Sequence, residues 1–309
     1  MTKKYRKWGV KILAAIACLG LSGCIANPIT SNNENGARST TSNSQFVNSQ
    51  KGSPEGTQSS DIGGIDQQTK DQLAQKEYQS GSSAIVQVNN GKSTLNPDSW
   101  QENKVIYSNL DSLNRTSSPN TAFLEARNKA NESLRIRQTV APTGWHSNRG
   151  GKQIYNRGHM IAYSVSAGID QNGAYNPNNT SGDQNNPKNL FTQSAFSNQE
   201  LQTIYESQVR HAIEANKKVI YQVTPIFRGN ELMARGVNLQ AVSTDGSLNF
   251  NVYIFNVQPG IKFNYADGSN QVDTGMQVPT PPNTPRFNNN NQTNSSNRTR
   301  WHFSSRHNY

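Results

Sequence analysis

The chain has 309 residues, 32% hydrophobic and 8% aromatic, with 30 Lys and Arg against 20 Asp and Glu and a formal charge of +10. The length admits one or two domains, but Asn, Ser, Thr and Gln crowd both ends and leave apolar material for one core of ordinary size. Its two cysteines, Cys18 and Cys24, both lie near the N-terminus, so the rest of the chain offers no disulfide, no thiolate nucleophile and no cysteine-ligated zinc.

Lys3, Lys4, Arg6, Lys7 and Lys11 precede or open the apolar run ILAAIACLGLSGC, the pattern of an export signal over residues 1–23. The run falls short of the ~20 residues that cross a bilayer. Leu21-Ser22-Gly23-Cys24 resembles the lipobox of bacterial lipoproteins, which implies cleavage before Cys24 and diacylation of that residue. An uncleaved anchor or an ordinary export signal is the alternative. Residues 24–83 are too polar to offset the entropy of ordering them and are expected to form a disordered tether, with at most a weak helix over 68–78. Without the signal there are 25 basic and 20 acidic residues, and from Arg115 onward the balance is 19 to 11. That positive half suits a polyanionic ligand, though a wall-facing or lipid-facing role would carry the same charge.

The folded domain is expected over 84–270. AIVQVNNGK at 84–92 reads as a strand and turn, and VIYSNLDSLNR at 105–115 as a second strand. TAFLEARNKANESLR reads as an amphipathic helix packed through Phe123, Leu124 and Leu134. Gln153 to Tyr155 opens a strand leading into Asn156-Arg157-Gly158-His159, followed by a second apolar run from Met160. Residues 168–188 are an Asn- and Gly-rich loop, long enough to suggest a functional one. From Asn198, apolar residues at 201, 204, 205, 209, 212 and 213 form a helical stripe. The segments 218–227 and 239–268 read as an antiparallel meander around Asp-Gly turns. From 271 to the C-terminus the chain is a Pro- and Asn-rich basic tail.

The organising stretch is 153–210, two short strands and a helix with His159, Asn189, Asn198 and Glu206 as polar residues to be explained. His159 closes a strand, with Arg157 two residues back on the same face. Asn198 and Glu206 share a helix face about 12 Å apart, too far to ligate one ion together. Asn198 is equally a cap residue and the glutamates equally solvated.

The sequence resembles the DNA/RNA non-specific endonucleases, a ββα-metal or His-Me finger family, in particular the membrane-attached DNA-entry nucleases of Gram-positive bacteria. The resemblance rests on Asn156-Arg157-Gly158-His159-Met160, PTGW at 142–145, NPKN at 186–189, QSAFSNQ at 193–199, YESQVRHAI with the following YQVTPIF, and the hairpin 245–260. It implies an α+β fold with a ββα-metal core and a central antiparallel sheet flanked by helices. It further implies that His159 is the general base, that Asn198 holds one Mg²⁺ ion for which Mn²⁺ can substitute, and that Glu206 acts through a metal-bound water. By the same resemblance Asn189 would orient the histidine or its substrate side, and Arg157 would stabilise the phosphate or the loop carrying His159, with Arg149 a weaker basic candidate. Asn156 stands where the family motif has aspartate, removing a negative charge beside the metal shell. The implied function is metal-dependent, sequence-non-specific cleavage of extracellular DNA, and of RNA, at the outer face of the cell membrane. The alternatives are a catalytically impaired nucleic-acid-binding lipoprotein and a wall-associated adhesin.

Overall fold

Runs of β-branched and aromatic residues between turn signals build most of the architecture. The computed structural model describes residues 61–282 and 284. The export signal, Cys24, the tether up to residue 60 and the tail from 285 lie outside them. The described elements are helix α1 (Gln67–Ala74), strands β1 (Ile85–Gln87), β2 (Lys104–Ile106), β3 (Asn120–Leu124), β4 (Tyr155–His159) and β5 (Leu190–Ser194), helix α2 (Thr203–Glu214), and strands β6 (Val219–Ile226), β7 (Gly236–Ser243), β8 (Asn249–Phe255), β9 (Ile261–Phe263) and β10 (Asn270–Val272). Among the described residues no helix is long and apolar enough to cross a membrane.

The main sheet has six antiparallel strands in the order β1-β8-β7-β6-β3-β2. Every residue of β6 and β7 is buried, so both faces of the sheet centre are covered. One face packs Tyr221, Val223 and Leu239 against Met160, Ile161 and the α2 residues Val209 and Ile213. On the other, Ile220, Val242 and Phe123 meet Ile62 and Leu95.

Three expectations are corrected here. The segment from Thr121 is a strand, not the start of a helix, because its side chains alternate between the two cores: Ala122 and Leu124 join one, Phe123 the other. The packed structure begins by Asp61 rather than at 84. Ile65 N–H donates to Gln222 Oε1 at 3.0 Å, so this polar segment satisfies a glutamine buried in the sheet, and Ile62 joins the apolar cluster beside it. It also supplies α1, capped by Asp66 and buried through Leu73 and Ala74. At the other end β10 pairs with β9 and Val278 is buried in the core, so packing continues past 270.

Candidate active site

β4 and β5 form a separate antiparallel pair, and the chain leaves β5 directly into a π-helical stretch, Ser197–Gln202, that runs on into α2. The second strand of the unit is therefore LFTQS, not the apolar run after His159. That run turns into the core as Met160 and Ile161, both fully buried. Asn189 makes it do so: its Oδ1 accepts from Ile161 N–H at 2.8 Å, its Nδ2 donates to the Ile161 carbonyl at 3.0 Å, and its own carbonyl accepts from Met160 N–H. Asn189 thus braces the backbone leaving His159 and does not touch the ring.

In β4, Asn156 and Gly158 alternate with Arg157 and His159, and Asn156 stands opposite Gln193 of β5. A Cβ on Gly158 would lie 2.1 Å from Gln193 Oε1, which accounts for the glycine in the motif by close approach.

That approach admits a chain of side-chain amides. Gln202 Nε2 donates to the His159 carbonyl at 2.9 Å and to Glu206 Oε1 at 2.7 Å. Gln193 Nε2 donates to Gln202 Oε1, Asn198 Nδ2 to Gln193 Oε1, and Asn156 Nδ2 to Asn198 Oδ1, each at 3.0 Å. A carbonyl, and a carboxylate when ionised, can only accept. Gln202 must therefore turn its nitrogen toward His159 and Glu206, and each amide behind it is oriented in turn. The outcome is that Asn198 presents its oxygen outward. Glu206 cannot reach Asn198 directly, yet it helps fix which atom Asn198 offers.

His159 is 7% exposed. Its Nε2 lies 3.2 Å from the Gln184 carbonyl, which fixes the proton there and leaves the Nδ1 lone pair as the basic position. Burial, then the charge of Arg135, lowers its pKa to about 4 against the Gln184 contact, so the ring is neutral at neutral pH. The Gln138 amide nitrogen sits 3.3 Å from Nδ1 and 3.2 Å from Nε2, covering the edge between them. Loss of water around the Glu206 carboxyl raises its pKa to about 7, against the Gln202 hydrogen bond and Arg135.

The remaining candidates divide. Arg157 donates through Nε to the Val140 carbonyl and stacks over Trp145 at 4.1 Å, so it ties β4 to the turn before it. Arg149 is exposed and lines a cavity of about 340 Å³ with His146, Ile154, Tyr155 and Asn270. No contact joins it to the amide chain. Gln193 and Gln202 carry roles that the motifs do not announce; Gln202 stands four residues from both Asn198 and Glu206, the spacing of one helix face. Nothing local marks Arg135, Gln138 or Gln184.

A hard divalent ion fits the outward Asn198 oxygen, as oxygen is the donor such ions take. Asn156 occupies that oxygen as a donor, where an aspartate would compete for no acceptor. Among the described residues no group of three or more His, Cys, Asp and Glu is placed to hold a metal, so an ion at Asn198 would rely on few protein ligands.

The family model of the DNA/RNA non-specific endonucleases matches residues 93–245. A crystal structure of NucA from Streptococcus agalactiae with no metal bound is 30% identical, with a TM-score of 0.53 over 67% of this chain and 95% of that one. The same nuclease with a magnesium ion bound is 29% identical, with a TM-score of 0.54 over 67% and 98%. A deoxyribonuclease from Streptococcus dysgalactiae subsp. equisimilis is 42% identical over 50 residues, which are 16% of this chain and 15% of that protein. The chain thus spans less than a sixth of the length of the curated relative it matches.

Proposed function

The chain belongs to the DNA/RNA non-specific endonuclease family, and on that premise we propose that it is a metal-dependent endonuclease cleaving extracellular DNA, and RNA, without sequence preference. In this reading the His159 Nδ1 takes a proton from the water that attacks phosphorus. The P–O3′ bond breaks, leaving a 5′-phosphate, and the departing oxygen gains a proton from solvent to become a 3′-hydroxyl. The observation that carries the proposal is the Nε2 contact to the Gln184 carbonyl at 3.2 Å, which favours a neutral ring with Nδ1 as its base.

Asn198 would be the protein ligand for a Mg²⁺ ion, and the NucA structure with magnesium bound supports that choice of metal. The chemistry a bound Mg²⁺ supplies, or Mn²⁺ in its place, is neutralisation of charge on the scissile phosphate and the departing oxygen. Glu206 orients Asn198 through Gln202 and Gln193, and would hold a water of such an ion. Asn189 and Arg157 position the strand that carries His159, and Arg149 contributes to phosphate binding. Contacts to phosphate and sugar carry no base information, which favours non-specific cleavage with strong salt dependence.

The full chain is expected to nick circular and linear DNA with Mg²⁺ and not with EDTA, and His159→Ala to abolish this with the circular dichroism spectrum unchanged. Undiminished cleavage by that variant sinks the mechanism. A second reading, a catalytically impaired nucleic-acid-binding lipoprotein, draws on the Asn156 donor occupying Asn198; it requires DNA binding with no cleavage at any Mg²⁺ concentration. Cys24 is proposed to be the lipid attachment site, holding the enzyme on the outer face of the cell membrane. Mass spectrometry of the membrane fraction finding an unmodified Cys24 would reject that placement.

A further inference from the structure

Between β4 and β5 the loop 168–188 buries a carboxylate whose surroundings are unusual for a structural aspartate. Asp183 is 2% exposed. Its Oδ2 accepts from Asn186 Nδ2 at 2.8 Å, while its Oδ1 is buried with no hydrogen-bond partner. The same Asn186 amide donates to the Gln171 carbonyl at 3.1 Å, which brings the turn that begins at Asp170 against Asp183. Gly173 of that turn accepts from Val105 N–H at 2.7 Å, and a Cβ on it would stand 3.5 Å from the Tyr107 ring.

Burial pushes the pKa of both Tyr107 and Asp183 up, and the Asn186 amide and then the phenol offset part of that for the aspartate; even so, neither the Tyr107 hydroxyl nor Asp183 Oδ1 has a hydrogen bond of normal geometry. The charged group that acts on Asp183 is Asp170, of the same sign. One Asp170 oxygen accepts from Asn172 and Ala174 N–H, which rigidifies the turn and accounts for Oδ1 alone.

A buried carboxylate with an orphan oxygen, held by Asn186 against the turn that carries a second carboxylate, is costly unless it is neutralised. The atoms there able to ligate a cation are oxygens: two carboxylates, a phenol and the Gln171 carbonyl, the last also accepting from Asn186 Nδ2. Such a set matches a hard divalent cation with a flexible coordination shell and offers nothing to a soft one. We propose that Asp183 and Asp170, with the Tyr107 hydroxyl and loop carbonyl oxygens, form a structural Ca²⁺ site separate from Asn198.

The placement gives the ion a task. Gln184, next to Asp183, supplies the carbonyl held against His159 Nε2, and its side chain accepts from Ile136 N–H at 2.7 Å and donates to the Leu134 carbonyl at 3.0 Å. A cation at Asp183 would hold the loop that fixes the tautomer of His159 and anchors the segment over it. This inference stands on the loop alone and does not depend on the nuclease reading.

The test uses the full chain carrying Asn198→Ala, which removes the other proposed ion, stripped with EDTA and dialysed. Ca²⁺ alone is expected to raise its melting midpoint by about 4 °C at saturation. Tb³⁺ in place of Ca²⁺ is expected to show tyrosine-sensitised emission that disappears in Tyr107→Phe and in Asp183→Asn. If Asp183→Asn fails to fold, Asp170→Asn and Tyr107→Phe carry the same comparison. No Ca²⁺-dependent shift, or a shift and emission that survive all three substitutions, overturns the site. Stability that rises as pH falls, without response to Ca²⁺, assigns Asp183 to a neutral carboxylic acid and overturns it equally.

Discussion

Asn156 Nδ2 donates to Asn198 Oδ1 at 3.0 Å, so the residue that departs from the family motif lies directly on the oxygen proposed to hold the metal. The other Asn156 atom, Oδ1, accepts from Gln153 Nε2 at 2.7 Å, which stabilises this orientation. A donor on that oxygen must move before an ion can bind it.

Asn156→Asp should therefore strengthen metal binding, since it replaces a competing donor by an acceptor carrying charge. The Mg²⁺ concentration for half-maximal DNA cleavage is expected to fall about tenfold, the lower end of what partners of metal ligands contribute. A titration of cleavage rate against Mg²⁺ that is superimposable on the natural chain's would show that the contact has no bearing on the ion.

Interrupting the amide chain in the middle should act on both ends. Gln202→Leu takes a donor from the His159 carbonyl and from Glu206 Oε1 and an acceptor from Gln193 Nε2, which keeps Ser197 Oγ, at a cost of about 1–3 kcal/mol for each buried group left unsatisfied. Urea unfolding should show that loss, and the Mg²⁺ requirement should rise because Asn198 is no longer oriented. A stability loss with an unchanged Mg²⁺ requirement would reduce Gln202 to packing alone.

Gly158→Ala forces a methyl group to 2.1 Å from Gln193 Oε1 and 2.9 Å from Gln193 Cβ. The strand or the glutamine must shift, costing about 1–3 kcal/mol as overpacking does, and cleavage should fall with it. Retention of full activity would mean that Gln193 has room the geometry does not reveal.

His159 and Glu206 should pull stability in opposite directions with pH in metal-free protein. The His159 pKa falls from 6.5 to about 4 on folding, so the unfolded chain binds the extra proton and stability is lost as pH drops from 6.5 toward 4. The Glu206 pKa rises from 4.5 to about 7, so the folded chain keeps the proton and stability is lost as pH climbs from 4.5 toward 7. The two effects oppose each other between roughly 4.5 and 6.5, where a tenfold change in proton affinity on folding is worth about 1.4 kcal/mol. Relative to the natural chain, His159→Ala should gain stability toward acid and Glu206→Gln should lose it. Urea midpoints at pH 4.5, 5.5 and 6.5 in EDTA check the signs; parallel slopes for both variants would contradict them.

Gln138 covers the edge of the His159 ring that carries the proposed base. Gln138→Ala should expose it, accelerating modification of His159 by diethylpyrocarbonate several-fold as read by peptide mass spectrometry. An unchanged rate would place the barrier to reagent elsewhere, in the Gln184 loop.

Much of the molecule was legible in the linear sequence. Period-2 runs with Asp-Gly turns announced the meander of β6, β7 and β8, and the stripe from Leu201 to Ile213 announced α2, because repeated burial on one face leaves a periodic trace. The Asn-Arg-Gly-His motif marked the strand that carries the candidate base. The sequence misled where burial was two-sided or polar: Thr121 to Leu124 alternates between two cores, and the segment from Asp61 packs through a few spaced apolar residues, Ile62, Leu73 and Ala74, together with a backbone N–H given to Gln222, too sparse a pattern to read as a core element.

What the sequence alone determined is the family, through several motifs in one order, and with it the mixed α+β class; it also singled out His159, Asn198 and Glu206 as residues of interest. What only the tertiary structure decided is how they are coupled. The direction of each amide from Glu206 to Asn156 is set by acceptors that lie on different elements, and the tautomer of His159 by a carbonyl 25 positions away. Hydrogen bonds join atoms wherever the fold brings them together, and contacts between distant segments leave no periodicity along the chain.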